Sequence, residues 1–281
     1  MAETLGLIAG QGMFPRLVAR GAKAAGRRVV CCGLGDNPDP AIRGEVDVYE
    51  RVGLARLGQW SRVLRKHGVT QAVMVGRVGK AQIHSPWRYF QYVPDIRTVR
   101  VFFTRLRNDK RDHAVLLAVV DELAKDGIEL IDSTAYCKEH LASEGVMTRR
   151  QPSEAQMADA AFGFPLCKLV SGHDIGQAIA VLDKDVLAVE AIEGTDRMIE
   201  RAGTFGRKGW TMIKVANIHQ DMRIDVPSIG VATIEKLAAA KCGCLVLEAG
   251  KTMMIDKPAV IARAEAVGLV ILGKAQADPA K

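Results

Sequence analysis

The chain opens with an apolar run, Leu5-Gly6-Leu7-Ile8-Ala9, broken by Gly10-Gln11-Gly12. Pro15 then suits the first turn of a helix, where its missing N–H costs little. Gly21 and Gly26 bracket the last turn of that helix, and Val29-Val30-Cys31-Cys32 reads as a buried second strand. Strand, glycine loop, helix and strand in this order open a parallel α/β sheet. A helix near 57–66 precedes another apolar strand, Ala72-Val73-Met74-Val75, closed by Gly76-Arg77-Val78-Gly79-Lys80. From Val99, the apolar positions Val99, Phe102, Phe103 and Leu106 recur at helical spacing, and a further helix is expected over 113–125.

A short strand, 127–132, ends the first half, and element count places a domain boundary there, giving domains 1–132 and 133–281. Ser153 and Glu154 start a helix reaching 170. The runs 177–182 and 186–192 flank the turn Asp183-Lys184-Asp185 as a hairpin. Helices are expected over 195–201, 229–240 and 258–267, and strands over 210–215, 245–247, 253–255 and 269–272. The fold class is therefore α/β: a Rossmann-like N-terminal domain with a parallel sheet and a C-terminal domain with a mixed sheet and flanking helices.

Composition narrows the functional classes. Hydrophobic residues at 48% exclude a largely disordered chain of 281 residues and allow a sizeable core. Lys plus Arg number 39 against 32 Asp plus Glu, a net charge of +7 that favours anionic partners without choosing among them. No apolar run reaches the roughly 18–20 residues of a membrane span. Met1-Ala2-Glu3-Thr4 is not a basic leader, so no signal peptide is expected. The six cysteines form no CxxC and no zinc spacing, and they read as buried or semi-buried free thiols in a reducing cytoplasm.

Several segments carry candidate chemistry. Gly10-Gln11-Gly12 lies between a strand and a helix, where backbone N–H groups approach phosphates, but the third small residue of a dinucleotide fingerprint is replaced by Pro15. A phosphate site and a plain tight turn are equally open there. Glu193-Gly194-Thr195-Asp196 also joins a strand to a helix, with Thr195 or Asp196 as a cap and two carboxylates able to draw a cation. In Gln220-Asp221-Met222-Arg223-Ile224-Asp225-Val226-Pro227 the charges alternate. An extended chain would aim all three one way, as a solvated edge strand or as a metal and phosphate site. Residues four apart in a straight strand lie about 13 Å apart, so Asp221 and Asp225 share an ion only if the chain bends. Lys214 ends a strand near the same place, and Asp174-Ile175-Gly176-Gln177 opens another. The aromatic and basic stretch 87–111 has three readings: a helix packing Phe102, Phe103 and Leu106 on the core, nucleic-acid binding, or contact with an acidic membrane or acyl chain. No nucleic-acid motif accompanies it.

Together these segments resemble the LpxI-type UDP-2,3-diacylglucosamine pyrophosphatases of Gram-negative lipid A synthesis. The resemblance rests on Leu5 to Gly12 with Pro15, Asp174 to Gln177, Ala188 to Asp196, Gln220 to Pro227, and Glu248-Ala249-Gly250-Lys251-Thr252. It spans nearly the whole chain in motif order. It implies two α/β domains with an amphiphilic substrate in a cleft between them. It implies magnesium-dependent hydrolysis of UDP-2,3-diacylglucosamine, with manganese as the alternative ion, by water attack on the α-phosphorus to give lipid X and UMP.

The resemblance places catalysis on Asp225, the last acid of an Asp-x-Arg-x-Asp pattern; beside it, the residues themselves offer Asp225 and Asp221 as metal ligands and Lys214 and Arg223 as phosphate contacts. Gly10, Gly12, Lys80, Asp174, Gln177, Glu193, Gly194, Thr195 and Asp196 are further substrate-contact candidates, and Phe102 and Phe103 are candidates for the acyl chains. It implies a cytoplasmic enzyme, transiently at the inner membrane, with a homodimer left open and no nucleic-acid partner. The chain departs from the family pattern at Arg111-Asp112-His113, where Gly-Asp-Asp is expected, and at Asn217-Ile218, where Lys-Pro is expected. Two other classes stand beside this reading: a nicotinamide-dependent oxidoreductase, against which Pro15 argues, and a non-catalytic nucleotide- or lipid-binding module.

Overall fold

The computed structural model describes residues 3–36, 38–77, 93–107, 112–205, 208–218, 221–224 and 226–276. The chain divides into two compact units, the first running to Cys137 and including residues 222–224, the second running from Lys138 to Asp221 and from Val226 onward.

The first unit begins with β1 (Thr4–Ala9), α1 (Phe14–Ala24), β2 (Arg28–Leu34), β3 (Val48–Val52), α2 (Leu57–Lys66) and β4 (Gln71–Val75). It continues with α3 (Ile96–Val101), α4 (Asp112–Ala124) and the short β5 (Glu129–Leu130). The strands form one parallel sheet in the order β3-β2-β1-β4-β5. A parallel sheet covered on both faces needs continuous apolar strands. Leu5, Leu7, Ile8, Val29, Val30, Cys31 and Cys32 are accordingly all fully buried. The strand order reverses between β1 and β4, and crevices at such reversals receive ligands in open α/β sheets.

The helical spacing from Val99 onward is realised with one change. After α3, residues 102–106 form a π-helical turn. Leu106 stands five positions after Val101, which suits the i→i+5 repeat of that turn. Val101 is buried and Leu106 packs against the same core, whereas Phe102 and Phe103 stay outside. Core packing of the two phenylalanines, one of the three readings of this stretch, is thereby corrected.

The second unit contains β6 (Gly145–Val146), α5 (Glu154–Gly172), β7 (Ala178–Leu182), β8 (Asp185–Val189), α6 (Thr195–Gly203) and β9 (Thr211–Lys214). It ends with β10 (Ser228–Ile229), α7 (Val231–Ala239), β11 (Cys244–Glu248), β12 (Met253–Met254), α8 (Lys257–Val267) and β13 (Val270–Lys274). Its main sheet is mixed, in the order β6-β13-β11-β9-β7-β8, with β13, β11 and β9 parallel and β7 antiparallel to both neighbours. The α/β class with one parallel and one mixed sheet is thus the observed architecture. Ser153 and Gln156 close a capping box at the start of α5. Asp183 and Lys184 both take positive φ, 54° and 61°, the backbone that a tight β7–β8 hairpin requires.

Two local expectations change. Residues 222–224 form a turn, not an extended strand. At the start of α6 the N-cap is Gly194, which has no side chain to cap with, and Thr195, the first helical residue, turns its hydroxyl to Glu190.

All six cysteines are buried free thiols. Burial pushes the thiols of Cys31, Cys167 and Cys244 up to about 12 and raises Cys32 and Cys242 as well. Only a thiolate attacks a disulfide reagent efficiently. We therefore expect fewer than one thiol to react with Ellman's reagent in the native protein at pH 8 within minutes, and all six after denaturation. Rapid native labelling would contradict this packing.

Candidate functional site

In the second unit, one edge of the mixed sheet gathers polar side chains from four strands. Lys214 ends β9, Glu248 ends β11, Glu190 follows β8, and Gln177 precedes β7. The pairing of Ala178 with Lys214 and of Ile179 with Val189 puts Lys214, Gln177 and Glu190 side by side. Strand ends at the carboxyl edge are where α/β sheets present ligand-binding groups.

Lys214 is buried, and its Nζ donates to Thr195 Oγ1 at 3.0 Å with Glu190 at 4.0 Å. Thr195 Oγ1 in turn donates to Glu190 Oε1 at 2.6 Å, and the Gln177 backbone N–H donates to Glu190 Oε2 at 3.3 Å. An ammonium, a hydroxyl and a carboxylate are therefore locked in one chain at the start of α6. Gly194, with φ 80°, permits the turn that brings Thr195 there.

A second cluster lies at the ends of β9 and β11. Lys168, from α5, and Glu248 form a buried ion pair at 3.0 Å. Glu248 Oε2 accepts the Ala216 N–H at 2.8 Å, and Lys168 Nζ donates to the Ala216 carbonyl at 2.8 Å. Beyond it, Asn217 Nδ2 donates to the Ser171 carbonyl at 2.7 Å and to Asp174 Oδ1 at 2.6 Å.

The structure thus brings together Lys214, Thr195, Gln177 and Gly194, and sets Asp174 on Asn217. It does not bring in Glu193 or Asp196. Glu193 pairs with Arg201 and Asp196 with Lys236, both at 2.6 Å on exposed surface. The Glu193 carboxyl is held below its usual range by its own backbone N–H and then by Arg201.

In the first unit, Gly10 serves close packing of two loops. Its N–H donates to the Val75 carbonyl at 2.8 Å, Gln11 bridges Arg77, and a Cβ on Gly10 would stand 2.8 Å from the Arg77 carbonyl oxygen. Gly12 takes φ 99° with open space around its Cβ position. The Ser133 hydroxyl lies 3.0 Å from the Met74 carbonyl and 2.9 Å from the Arg223 carbonyl, and its N–H donates to the Met222 carbonyl. This ties the turn 222–224 to the end of β4. Asp221 and Arg223 are half-buried. Asp225 and Lys80 lie outside the described residues. Phe102 and Phe103 contact each other edge to face, 5.5 Å between centroids, with Phe103 65% exposed.

Among the described residues no group of three His, Cys, Asp or Glu side chains could hold a metal ion. Magnesium needs no such cage, since it keeps several waters and binds through one or two carboxylates plus substrate oxygens. The hard oxygen donors of Asp221 and Asp225 suit it chemically. No helix among the described residues is long and apolar enough to cross a membrane.

Sequence reasoning passed over Glu190, Lys168 and Glu248 as site residues. A signal was present for the last two: Lys168 falls on the same helical face as Phe164, Cys167 and Ser171, and Glu248 ends the apolar run Cys244 to Leu247. A charge embedded in a buried face requires a partner.

Comparison with known proteins gives two family matches, LpxI N-terminal domain over residues 4–140 and LpxI C-terminal domain over residues 143–272. The chain is also similar to the UDP-2,3-diacylglucosamine pyrophosphatase LpxI of Caulobacter vibrioides, 33% identical over 280 residues and covering 96% of each chain.

Proposed function

The chain belongs to the LpxI family, and from that premise we propose that it hydrolyses the diphosphate of UDP-2,3-diacylglucosamine to lipid X and UMP in lipid A synthesis. The observation that carries this reading is the agreement of both halves of the chain, in order and nearly end to end, with one family and one curated pyrophosphatase.

In this reading a water oxygen forms a bond to the α-phosphorus while the bond from that phosphorus to the bridging oxygen breaks. The bridging oxygen leaves with lipid X as its phosphate, and the water oxygen stays in UMP. Phosphoryl transfer asks chiefly for positioning and charge stabilisation. Lys214 has three N–H donors, of which one is used on Thr195, and a phosphate oxygen is a fitting further acceptor. Arg223 is assigned to the same phosphates, and Asp174, Gln177, Gly194, Gly10 and Gly12 to nucleotide and sugar contacts. Asp225, with Asp221, would hold Mg²⁺, or Mn²⁺ with its similar oxygen preference, and orient the attacking water. When bound, such an ion offsets phosphate charge and acidifies a coordinated water.

The amphiphilic substrate also needs an apolar receptor. Phe102 and Phe103 are assigned to the acyl chains, and Ile96 and Phe103 beside Arg100 form a mixed apolar and cationic stripe suited to transient contact with the anionic inner membrane from the cytoplasm. Phe103→Ser is expected to raise KM for the diacylated substrate severalfold with kcat unchanged, and an unchanged KM removes Phe103 from this role.

The test is UMP release from UDP-2,3-diacylglucosamine in ¹⁸O-labelled water, with Mg²⁺ and with excess EDTA. We expect release with Mg²⁺, its loss with EDTA, and label in UMP. Label in lipid X instead would overturn attack at the α-phosphorus. Ligand binding without UMP release would favour the non-catalytic binding module.

A further inference from the structure

We propose that the buried Lys168–Glu248 ion pair is a positioning device that fixes the backbone on both sides of Ala216, where the chain leaves β9 five positions before Asp221. The proposal rests on the hydrolytic reading for its catalytic consequence and on geometry alone for the clamp.

Lys214 is the last residue of β9, and Asp221 lies only seven positions later. Between them, Ala216 is gripped from two directions. Its N–H, in the peptide shared with Val215, donates to Glu248 Oε2 at 2.8 Å, and its carbonyl, in the peptide shared with Asn217, accepts from Lys168 Nζ at 2.8 Å. The two gripping side chains bond each other through both carboxylate oxygens, at 3.2 and 3.0 Å. Fixing the two peptides that flank one Cα fixes its φ and ψ. The C-terminal turns of α5 extend the grip: Ser171 Oγ lies 3.4 Å from the Ala216 carbonyl, and Asn217 Nδ2 holds the Ser171 carbonyl.

Stability alone is a poor reason for this arrangement. A buried ion pair is often matched or bettered by apolar residues of similar volume. What an apolar pair cannot do is accept an N–H and donate to a carbonyl on the same buried length of backbone. The ion pair is therefore spent on orientation of a segment that β-sheet pairing no longer holds. Lys168 and Glu248 are positioning residues; neither is assigned to touch substrate.

The decisive variants are Lys168→Met with Glu248→Leu, and Lys168→Met with Glu248→Gln, whose amide oxygen still accepts the Ala216 N–H. Three quantities are read on each full-length protein: thermal midpoint, steady-state UMP release, and amide hydrogen exchange at Ala216. For the Met/Leu protein, which leaves the buried Ala216 N–H and carbonyl without these partners, we expect a midpoint lower by a few degrees with cooperative unfolding retained, exchange at the Ala216 amide at least tenfold faster, and kcat at least tenfold lower with KM within about twofold. The Met/Gln protein should recover part of both the exchange protection and kcat. Unchanged exchange in the Met/Leu protein overturns the clamp. Faster exchange with full kcat overturns its catalytic role. A wild-type protein that releases no UMP overturns the hydrolytic reading, and with it the catalytic consequence, while exchange still decides the clamp.

Discussion

Asp225→Ala is expected to lower kcat for UMP release by about a thousandfold, roughly 4 kcal/mol of barrier, while leaving the thermal midpoint within about 2 °C of wild type. The assignment rests on the resemblance that places catalysis on Asp225, the last acid of Asp221-Met222-Arg223-Ile224-Asp225. Stability should survive for reasons visible on either side of it. Ile224 packs against the apolar core of the first unit, and the Arg223 carbonyl lies 2.9 Å from the Ser133 hydroxyl. On the other side Pro227 is buried, and its carbonyl accepts the Met253 N–H at 2.8 Å. None of these contacts uses the Asp225 side chain. Asp225→Asn separates two roles: it keeps shape and one acceptor but removes the charge, so a loss as deep as that of alanine assigns the effect to charge. Retention of more than a tenth of the wild-type rate by the alanine variant, about 1.4 kcal/mol, would remove Asp225 from the centre of the mechanism.

Much of the fold was legible because its core elements carry strong local signals. The parallel strands of the first unit are unbroken apolar runs, and Pro15, the Ser153 capping box and the Asp183-Lys184 turn punctuate the chain at the positions observed. β3 escaped notice because Val48–Val52 is an edge strand, with Glu50 and Arg51 facing solvent or partner side chains instead of core. β6 and β10, two residues each, are defined by their neighbours and leave no periodic trace. The turn at 222–224 defeated the alternation of charge and apolar residues, because the Ser133 bonds that hold it come from a distant part of the sequence.

The candidate site divides in the same way. Lys214 and Thr195 could be singled out from strand and helix ends, since topology brings such ends to one edge of a sheet. Their connection through Glu190 could not, because it depends on the register of the β7–β8 hairpin, which shifts between Ala180 and Val181. Glu193 and Asp196 show the converse. Two acids at a helix start look like a cation site in sequence, yet each already holds a basic side chain, Arg201 and Lys236.

Lys168→Met alone should destabilise the second unit by about 3–5 kcal/mol, the usual loss when one member of a buried ion pair is removed. Glu248 is 2% exposed, and without Lys168 its carboxylate keeps the Ala216 N–H but loses both contacts to the ammonium. The Ala216 carbonyl also loses its charged donor, leaving the weaker Ser171 contact at 3.4 Å. An unpaired buried charge is far costlier than an absent pair. The single variant should therefore be much less stable than the Met/Leu double variant, a sign of coupling that independent residues would not produce. Urea unfolding followed by Trp210 fluorescence in a Trp60→Phe, Trp87→Phe background reports this unit, because Trp210 is fully buried within it and donates to the Ala240 carbonyl at 2.9 Å. A single-variant loss below about 1 kcal/mol, or a double variant no more stable than the single, would mean that water reaches Glu248 in solution and that the pair is not the dry clamp its geometry describes.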